Sequence, residues 1–298
     1  MTNTLSAPIT TALKAFGSFV DNVIASSACE LGLTRLVRQT GLKKKQGADP
    51  MSILMAAIHA PLVMKDSTWA FCERFIKQYQ VGEKDVIYRF LLRQDIRWKL
   101  ITSKLAEGFI STHEKEVFAD EDGVALVIDD SLRDRSGKKV EASAKHWDHC
   151  RKRSVRSHQV VAAGLSFAKG YIPVASQIIT GTKKVFERGF KWQDKRSEVA
   201  RAYDRGINES KNDFFARTVK QTANRYRGKL KWVLADAWHG SRANLKVIMD
   251  NGLAGIILLK RGKTKYRYQG RLYTIKELYQ AAKRRMQKVD GGAFRGIS

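Results

Sequence analysis

The sequence predicts an α/β protein in two parts, a helical region over 1–120 and a mixed sheet over 121–298. Two observations carry this. Apolar residues recur at three- and four-residue spacing up to about residue 120, and as short β-type runs after it. The first β runs form a hairpin, whereas the later ones alternate with a helix, which mixes antiparallel and parallel pairing in one sheet. A third feature bears on function: two of these runs, LVIDD and WVLAD, end in carboxylates.

The helical part begins with Asp49-Pro50, an N-cap followed by proline at the first helical position. Pro61 kinks or ends that helix. Asp66 or Ser67 caps a second, STWAFCERFIKQYQ. Asp85 starts a third, DVIYRFLLRQ, and 95–110 is a fourth. The third helix fits two descriptions equally well: an amphipathic core helix, or a recognition helix with Lys84, Tyr88, Arg89 and Arg93 outward. Trp69, Phe71, Phe75, Trp98 and Trp238 are expected in the core.

In the second part VALVIDD is a strand. SHQVVAAGLSFAKG and YIPVASQIIT form a hairpin turning at Lys169-Gly170. A polar helical stretch covers about 195–224. KWVLADAW is a strand, SRANLKVIMDNG a helix stopping at Gly252, and AGIILLK a strand. YRYQGRLYTIKELYQAAKRR gives a small hairpin and a helix, and GGAFRGIS a tail.

Composition narrows the class of partner. The chain has 298 residues, with 55 Lys plus Arg against 29 Asp plus Glu, a formal net charge of +26. So one-sided a balance repels itself in a compact state and points to a polyanion. No segment approaches the ~20 apolar residues that span a bilayer, and no secretory leader is evident. Cys29, Cys72 and Cys150 are scattered and odd in number, which points to the reducing cytoplasm rather than a disulfide framework.

Asp129 and Asp236 close strands that a parallel sheet would bring to one rim, where α/β proteins place their sites. Two carboxylates there repel unless a cation lies between them. Mg²⁺ is satisfied by one or two protein carboxylates, waters and phosphate oxygens. A plainer reading stands beside this one. Asp commonly starts a turn or caps a helix after a strand, so Asp130 could pair with Arg133 or Arg135, and Asp236 could cap the helix near Ser241.

The runs LVIDDSLRDRSGKKVE, HWDHC, GLSFAKGYIPVASQIITGTKK and KWVLADAWHGSRANLKVIMDNGLAGIILLKRGKTKYRYQGRLYTIKELY resemble insertion-sequence transposases with a DDE catalytic domain. The helical segments KKKQGADPMSILMAAI and KDVIYRFL extend the resemblance over about 40–290. It implies a ribonuclease-H-like sheet with the first Asp in an IDDT-type motif, here Ile128-Asp129-Asp130-Ser131. The second lies in a D-S-W-type motif, here Asp236-Ala237-Trp238. Ser131 and Ala237 depart mildly from that pattern, and KTKYRYQGRLYTIKELY matches a β insertion. The resemblance implies Mg²⁺ or Mn²⁺ on Asp129 and Asp236, and strand cleavage and transfer on the terminal repeats of double-stranded DNA. It also implies a homodimer on paired ends and a prokaryotic, nucleoid-associated location. Asp130 is auxiliary, since neighbours on a strand face opposite ways.

The family's third acid is a Glu on a helix beyond the insertion, and only Glu277, inside the insertion match, stands near that place. The expectation is therefore a chain truncated before the closing helices of its catalytic domain, with weak metal binding and an exposed apolar sheet face. Two basic segments should hold DNA. Residues 133–158 carry nine Lys or Arg and three acids, and 260–288 carry eleven against Glu277. Lys138, Lys139, Arg151, Lys152, Arg153 and Arg156 serve in the first, and Lys260, Arg261, Lys263, Lys265 and Arg267 in the second. HWDHC, with His158, invites a zinc reading, but its spacing matches no standard site. Two functions without cleavage compete: a fragment that occupies transposon ends or inhibits the full enzyme, and an unrelated RNA-binding protein.

Overall fold

The computed structural model describes residues 26–42, 46–63, 68–76, 81–121, 123–137, 140–181, 192–258, 265–283, 286–288 and 294–296. Helices come first: α1 (Leu33–Gln39), α2 (Pro50–Val63), α3 (Thr68–Phe75), α4 (Lys84–Leu91), α5 (Trp98–Thr112) and α6 (Glu114–Val117). Asp49 caps α2 by accepting the Ser52 N–H at 2.9 Å. Pro61 lies in the last turn of α2, which ends two residues later at Val63, in line with a proline that cannot supply the next helical N–H. The expected caps Asp66 and Ser67 lie outside the described residues. In α4, Ile87 and Phe90 are buried. Of its outward residues, Lys84 is paired with Glu73 and Arg93 with Asp95, just past the helix end.

The helices share a buried cluster that includes Ile53, Met55, Phe71, Ile87, Ile96 and Ile101. A second cluster lies under the sheet and begins within the same helix α5, at Ala106 and Ile110. One helix thus contributes apolar side chains to both cores.

The sheet contains β1 (Val124–Asp134), β2 (Ala144–Asp148), β3 (Arg153–Phe167), β4 (Gly170–Ile178), β5 (Leu230–Ala235) and β6 (Ala254–Ile257). β1 runs antiparallel to β3 and parallel to β5, and β5 is parallel to β6. Ser157 of β3 is paired with both Asp134 of β1 and Ala144 of β2, so β2 lies on the far edge of β3. β4 pairs along that same edge. An antiparallel β1–β3–β4 half joined to a parallel β1–β5–β6 half is the ribonuclease-H-like arrangement. The expected hairpin is present. The expected helix over 195–224 is two helices, α7 (Glu198–Asn208) and α8 (Lys211–Arg225), divided where Ser210 and Asp213 form a capping box.

Packing separates the two faces. Leu126, Ile128, Val161, Ala163, Leu165 and Val233 point into the cluster built with Phe214, Phe215 and Val219 of α8 and Ile248 of α9 (Arg242–Asp250). Gly255 of β6 faces Ile248 so closely that a Cβ would meet its Cδ1 at 3.1 Å, which lets α9 lie flat on the sheet. The opposite face carries the alternate residues: Ala125, Val127 and Asp129 on β1, Leu234 on β5 and Ile256 on β6. Ile256 is 58% exposed, and Leu258, just past β6, is 70% exposed. The insertion forms a two-stranded hairpin, β7 (Lys265–Tyr268) and β8 (Arg271–Thr274), followed by α10 (Ile275–Ala282). Two short paired strands, β9 (Met286–Lys288) and β10 (Phe294–Gly296), complete the described chain. No helix among the described residues is long and apolar enough to cross a membrane.

Candidate active site

The parallel pairing of β1 with β5 ends at Ile128 and Ala235. The next residue on each strand is an aspartate, Asp129 and Asp236. The register thus brings the backbones of Asp129 and Asp236 to neighbouring positions of one rim, Asp129 still within β1 and Asp236 just past the end of β5. Residues 107 positions apart in the sequence (236 − 129) come to one rim because β1 and β5 pair in parallel up to the residue before each.

Asp129 and Asp130 do not end their strand, as the sequence suggested. β1 continues to Asp134, paired with β3 throughout. It is β5 that departs, and Asp236 starts the departure. Its Oδ1 accepts the Trp238 N–H at 3.0 Å, capping a single 3-10 turn, Ala237–His239. Ser241 then caps α9 through the Asn244 N–H. The capping reading of Asp236 is therefore correct in kind, for the turn rather than for α9, and it engages one carboxylate oxygen.

Asp130 faces the other way, toward α8. Its Oδ1 is 3.1 Å from the Lys211 ammonium and its Oδ2 accepts from the Gln159 amide at 2.6 Å. The basic partner is Lys211, not Arg133 or Arg135. Arg135 donates to His158 Nδ1 instead. Only 12% of the Lys211 side chain and 17% of the Asp130 side chain are exposed. The ammonium also lies 4.1 Å from the centre of the Trp238 ring. Trp238 was expected in the core but is 51% exposed, and Trp69 is 55% exposed. Phe71 is buried as expected; the Phe75 side chain lies outside the described residues.

Two further side chains lie within the field of the carboxylates, and neither was singled out from the sequence. Tyr171 packs against Gly164, where a Cβ would run into its ring, and raises no clash only because the residue is glycine. Burial, and then the charge of Asp129, push its phenol pKa up. His239 is fully buried and stacks on Phe215 with ring centres 4.9 Å apart. Among the described residues, both of its ring nitrogens lack a hydrogen-bond partner. Burial pushes its pKa down, aided by Lys211 and opposed by Asp236, Asp130 and Asp129. Nothing in its flanking sequence signals this; only the fold brings it beneath the carboxylates.

HWDHC serves the β2–β3 turn. Asp148 accepts the backbone N–H groups of Cys150 and Arg151 and pairs with the Arg151 side chain. His158 is held between Arg135 and the Glu141 carbonyl. Among the described residues no group of three or more His, Cys, Asp or Glu is placed to hold a metal. Glu277 accepts the Thr274 N–H in the capping box of α10 and is exposed. Arg135, Arg151, Arg153 and Arg156 line one shallow depression near the end of β1. Arg151 there is paired with Asp134. Lys152 lies at the adjoining turn, and Lys265 and Arg267 are exposed on β7. Lys138, Lys139, Lys260, Arg261 and Lys263 lie outside the described residues.

No curated protein matches the chain. Among solved structures it is similar to the piggyBac transposase in a synaptic complex with hairpin DNA, at 14% identity and a TM-score of 0.34. That match covers 89% of this chain and 52% of the other, so the chain spans about half the length of that transposase. A family model described as DDE superfamily endonuclease matches residues 73–289, which takes in both carboxylate strands, the hairpin and the insertion. The chain therefore belongs to the DDE superfamily endonucleases.

Proposed function

We propose that this chain acts in DNA transposition, cleaving and transferring strands at transposon ends, with Asp129 and Asp236 as the acids that carry the reaction. The β1–β5 register, which ends one residue before both Asp129 and Asp236, is the observation that supports the reading. The donor set is two hard oxygen ligands, which suits Mg²⁺ or Mn²⁺ with waters and phosphate oxygens completing the shell. When bound, such an ion lowers the pKa of an attacking water or 3′-hydroxyl and stabilises the charge on the transferring phosphorus.

The protein's own groups do the rest. Asp129 and Asp236 hold the cation at the rim. Asp130 is engaged by Lys211 and Gln159 and stays out of the coordination shell. The arginines around the β2–β3 turn, with Lys152, Lys265 and Arg267, neutralise backbone phosphates on either side. Two copies on paired ends would form the working assembly.

The test is nicking of supercoiled DNA that carries terminal repeats, with Mg²⁺, Mn²⁺ or EDTA. Metal-dependent nicking that disappears in Asp129→Asn and Asp236→Asn supports the reading. Nicking that survives both substitutions refutes the site. A second reading is favoured by one observation: among the described residues no group of three acids is placed to hold a metal, and Glu277 is engaged in a helix cap. In that reading the chain binds transposon ends without cutting them. Salt-dependent retention of terminal-repeat DNA, with no nicking under either metal, would select it.

A further inference from the structure

Helix α7 is pinned at both ends. At its start, Glu198 accepts the Lys99 backbone N–H at 2.9 Å, which ties α7 to the first turn of α5. Toward its end, Gly206 lies so close to β4 that a Cβ would meet the Ile178 carbonyl oxygen at 2.5 Å, and the Gly206 carbonyl accepts the Thr180 N–H at 2.8 Å. Between these pins a cavity of about 590 Å³ remains, where the helical region meets the sheet. That volume suits a small molecule, and ligand sites favour such junctions. Leu91 of α4, Trp98 of α5, Val160 of β3, Ile178 of β4, and Val199 and Tyr203 of α7 give it apolar walls. The rings are held in place. Trp98 donates its indole N–H to the Arg93 carbonyl at 3.1 Å, and Tyr203 meets Trp192 edge-on with ring centres 5.2 Å apart.

One lining residue is out of keeping with these walls. Lys99 is half-buried, and burial pushes its pKa down; Arg205 and Arg217 add to this, while Glu198 and Glu209 oppose it. Both carboxylates are engaged elsewhere, Glu198 by the Lys99 backbone and Glu209 by Arg217 and Gln177. Among the described residues the Lys99 ammonium has no ion pair or hydrogen bond, although Glu141 also lines the cavity. A cation drawn out of water without a counter-ion is costly. We propose that this cavity binds an amphipathic monoanion, an aromatic body with a single carboxylate, and that Lys99 is its counter-ion. The walls bury the body, and the ammonium selects the charge. The lining comes from α4, α5, β3, β4 and α7, so an occupant ties the helical region to the sheet and stabilises the folded chain. Neither Asp129 nor Asp236 lines the cavity, which makes the proposal independent of the strand-cleavage reading.

The experiment titrates the full chain by calorimetry with 2-naphthoate, with uncharged 2-naphthamide of nearly the same shape, and with 2-naphthylmethylammonium. 2-Naphthoate should bind once per chain and raise the thermal unfolding midpoint. The amide should bind roughly 10- to 150-fold more weakly, the range for one hydrogen bond to a charged group, and the ammonium should not bind. Lys99→Met should lower the affinity for 2-naphthoate to that for the amide and leave the amide unchanged, whereas Lys99→Arg should keep the preference. Because it removes a half-buried charge, Lys99→Met should melt no lower than the unsubstituted chain, which separates lost binding from lost folding. Ala202→Phe, which fills the cavity from α7, should abolish binding of both compounds. A chain of net charge +26 attracts any anion, so a preference for 2-naphthoate that survives in Lys99→Met overturns the proposal. So does 2-naphthoate binding no tighter than the amide, or no binding of either at millimolar concentration. Asp129→Asn should bind 2-naphthoate as the unsubstituted chain does.

Discussion

The two faces of the sheet are built from alternate residues of the same strands and have opposite characters. On β1, Leu126 and Ile128 are fully buried beneath α8, while Val127 and Asp129, which alternate with them, look the other way. On β6, Gly255 admits α9 closely, and its neighbour Ile256 is exposed. The covered face holds the fold together, and the other face carries Asp129. Asp129 and Asp130 express this division within two residues: one is exposed at the end of the β1–β5 pairing, and the other is committed to Lys211 and Gln159.

The comparison breaks most sharply at the carboxylates. Asp129→Asn and Asp236→Asn should reduce metal-dependent nicking to the level seen in EDTA while the thermal unfolding midpoint stays within a few degrees. Unfolding of either variant at room temperature would mean that these residues belong to the core. The converse substitutions fall on the covered face. Phe215→Ala should cost about 3–5 kcal/mol and Leu126→Ala about 2–5 kcal/mol in denaturant titrations, because both leave cavities in a packed interior. Costs below about 1 kcal/mol would mean that α8 does not seal this face as tightly as the burial indicates.

Which parts of this were legible in the sequence follows from what each segment buries. β1, β5, β6 and α9 announce themselves as apolar runs bounded by Asp, Gly or Ser. β2 does not, because its inward residues include His146 and Asp148, and a strand with polar residues on both faces has no period to read. The extension of β1 through Ser131–Asp134 is hidden for the same reason. The break between α7 and α8 falls at Glu209-Ser210, with no glycine or proline to mark it. At the site, Asp129 was read as a strand end but lies within β1, whereas Asp236 was legible as the residue that follows one. Lys211 was not, since its tie to Asp130 spans 81 residues and only the packing of α8 creates it. Trp238 was read as core because composition suggests burial for a tryptophan, whereas its place at the rim is set by the turn that Asp236 caps.

His239 lies between the two regimes, in the core by position but among charged groups by neighbourhood. Its two unpartnered ring nitrogens carry a desolvation cost that a phenyl ring would not, while the stack on Phe215 would remain. His239→Phe should therefore stabilise the chain by about 1 kcal/mol or more at pH 7.5. The sign of the pH effect follows from burial, which lowers the folded-state pKa. The unfolded chain takes up a proton near pH 6.5 that the folded one accepts only at lower pH. The histidine's contribution to stability is thus intact above that value and is lost as the pH falls toward the folded pKa. The advantage of the phenylalanine variant should grow between pH 7.5 and pH 5.5. A gap that narrows instead would mean that the neighbouring carboxylates outweigh burial.

The smallest expected effect tests the less covered face. Ile256 is a β-branched residue on the edge strand, and its partner across β5 is Leu234. Among the described residues most of its side chain meets solvent. Ile256→Thr keeps the branch that suits a strand and removes apolar surface that the fold does not bury. Its stability should change by no more than about 0.5 kcal/mol, as for other surface substitutions, whereas the same change at Ile128 would put an unpartnered hydroxyl under α8. A loss at Ile256 as large as that at Ile128 would show that something packs on this face after all, and the two faces would then differ in what covers them rather than in whether they are covered.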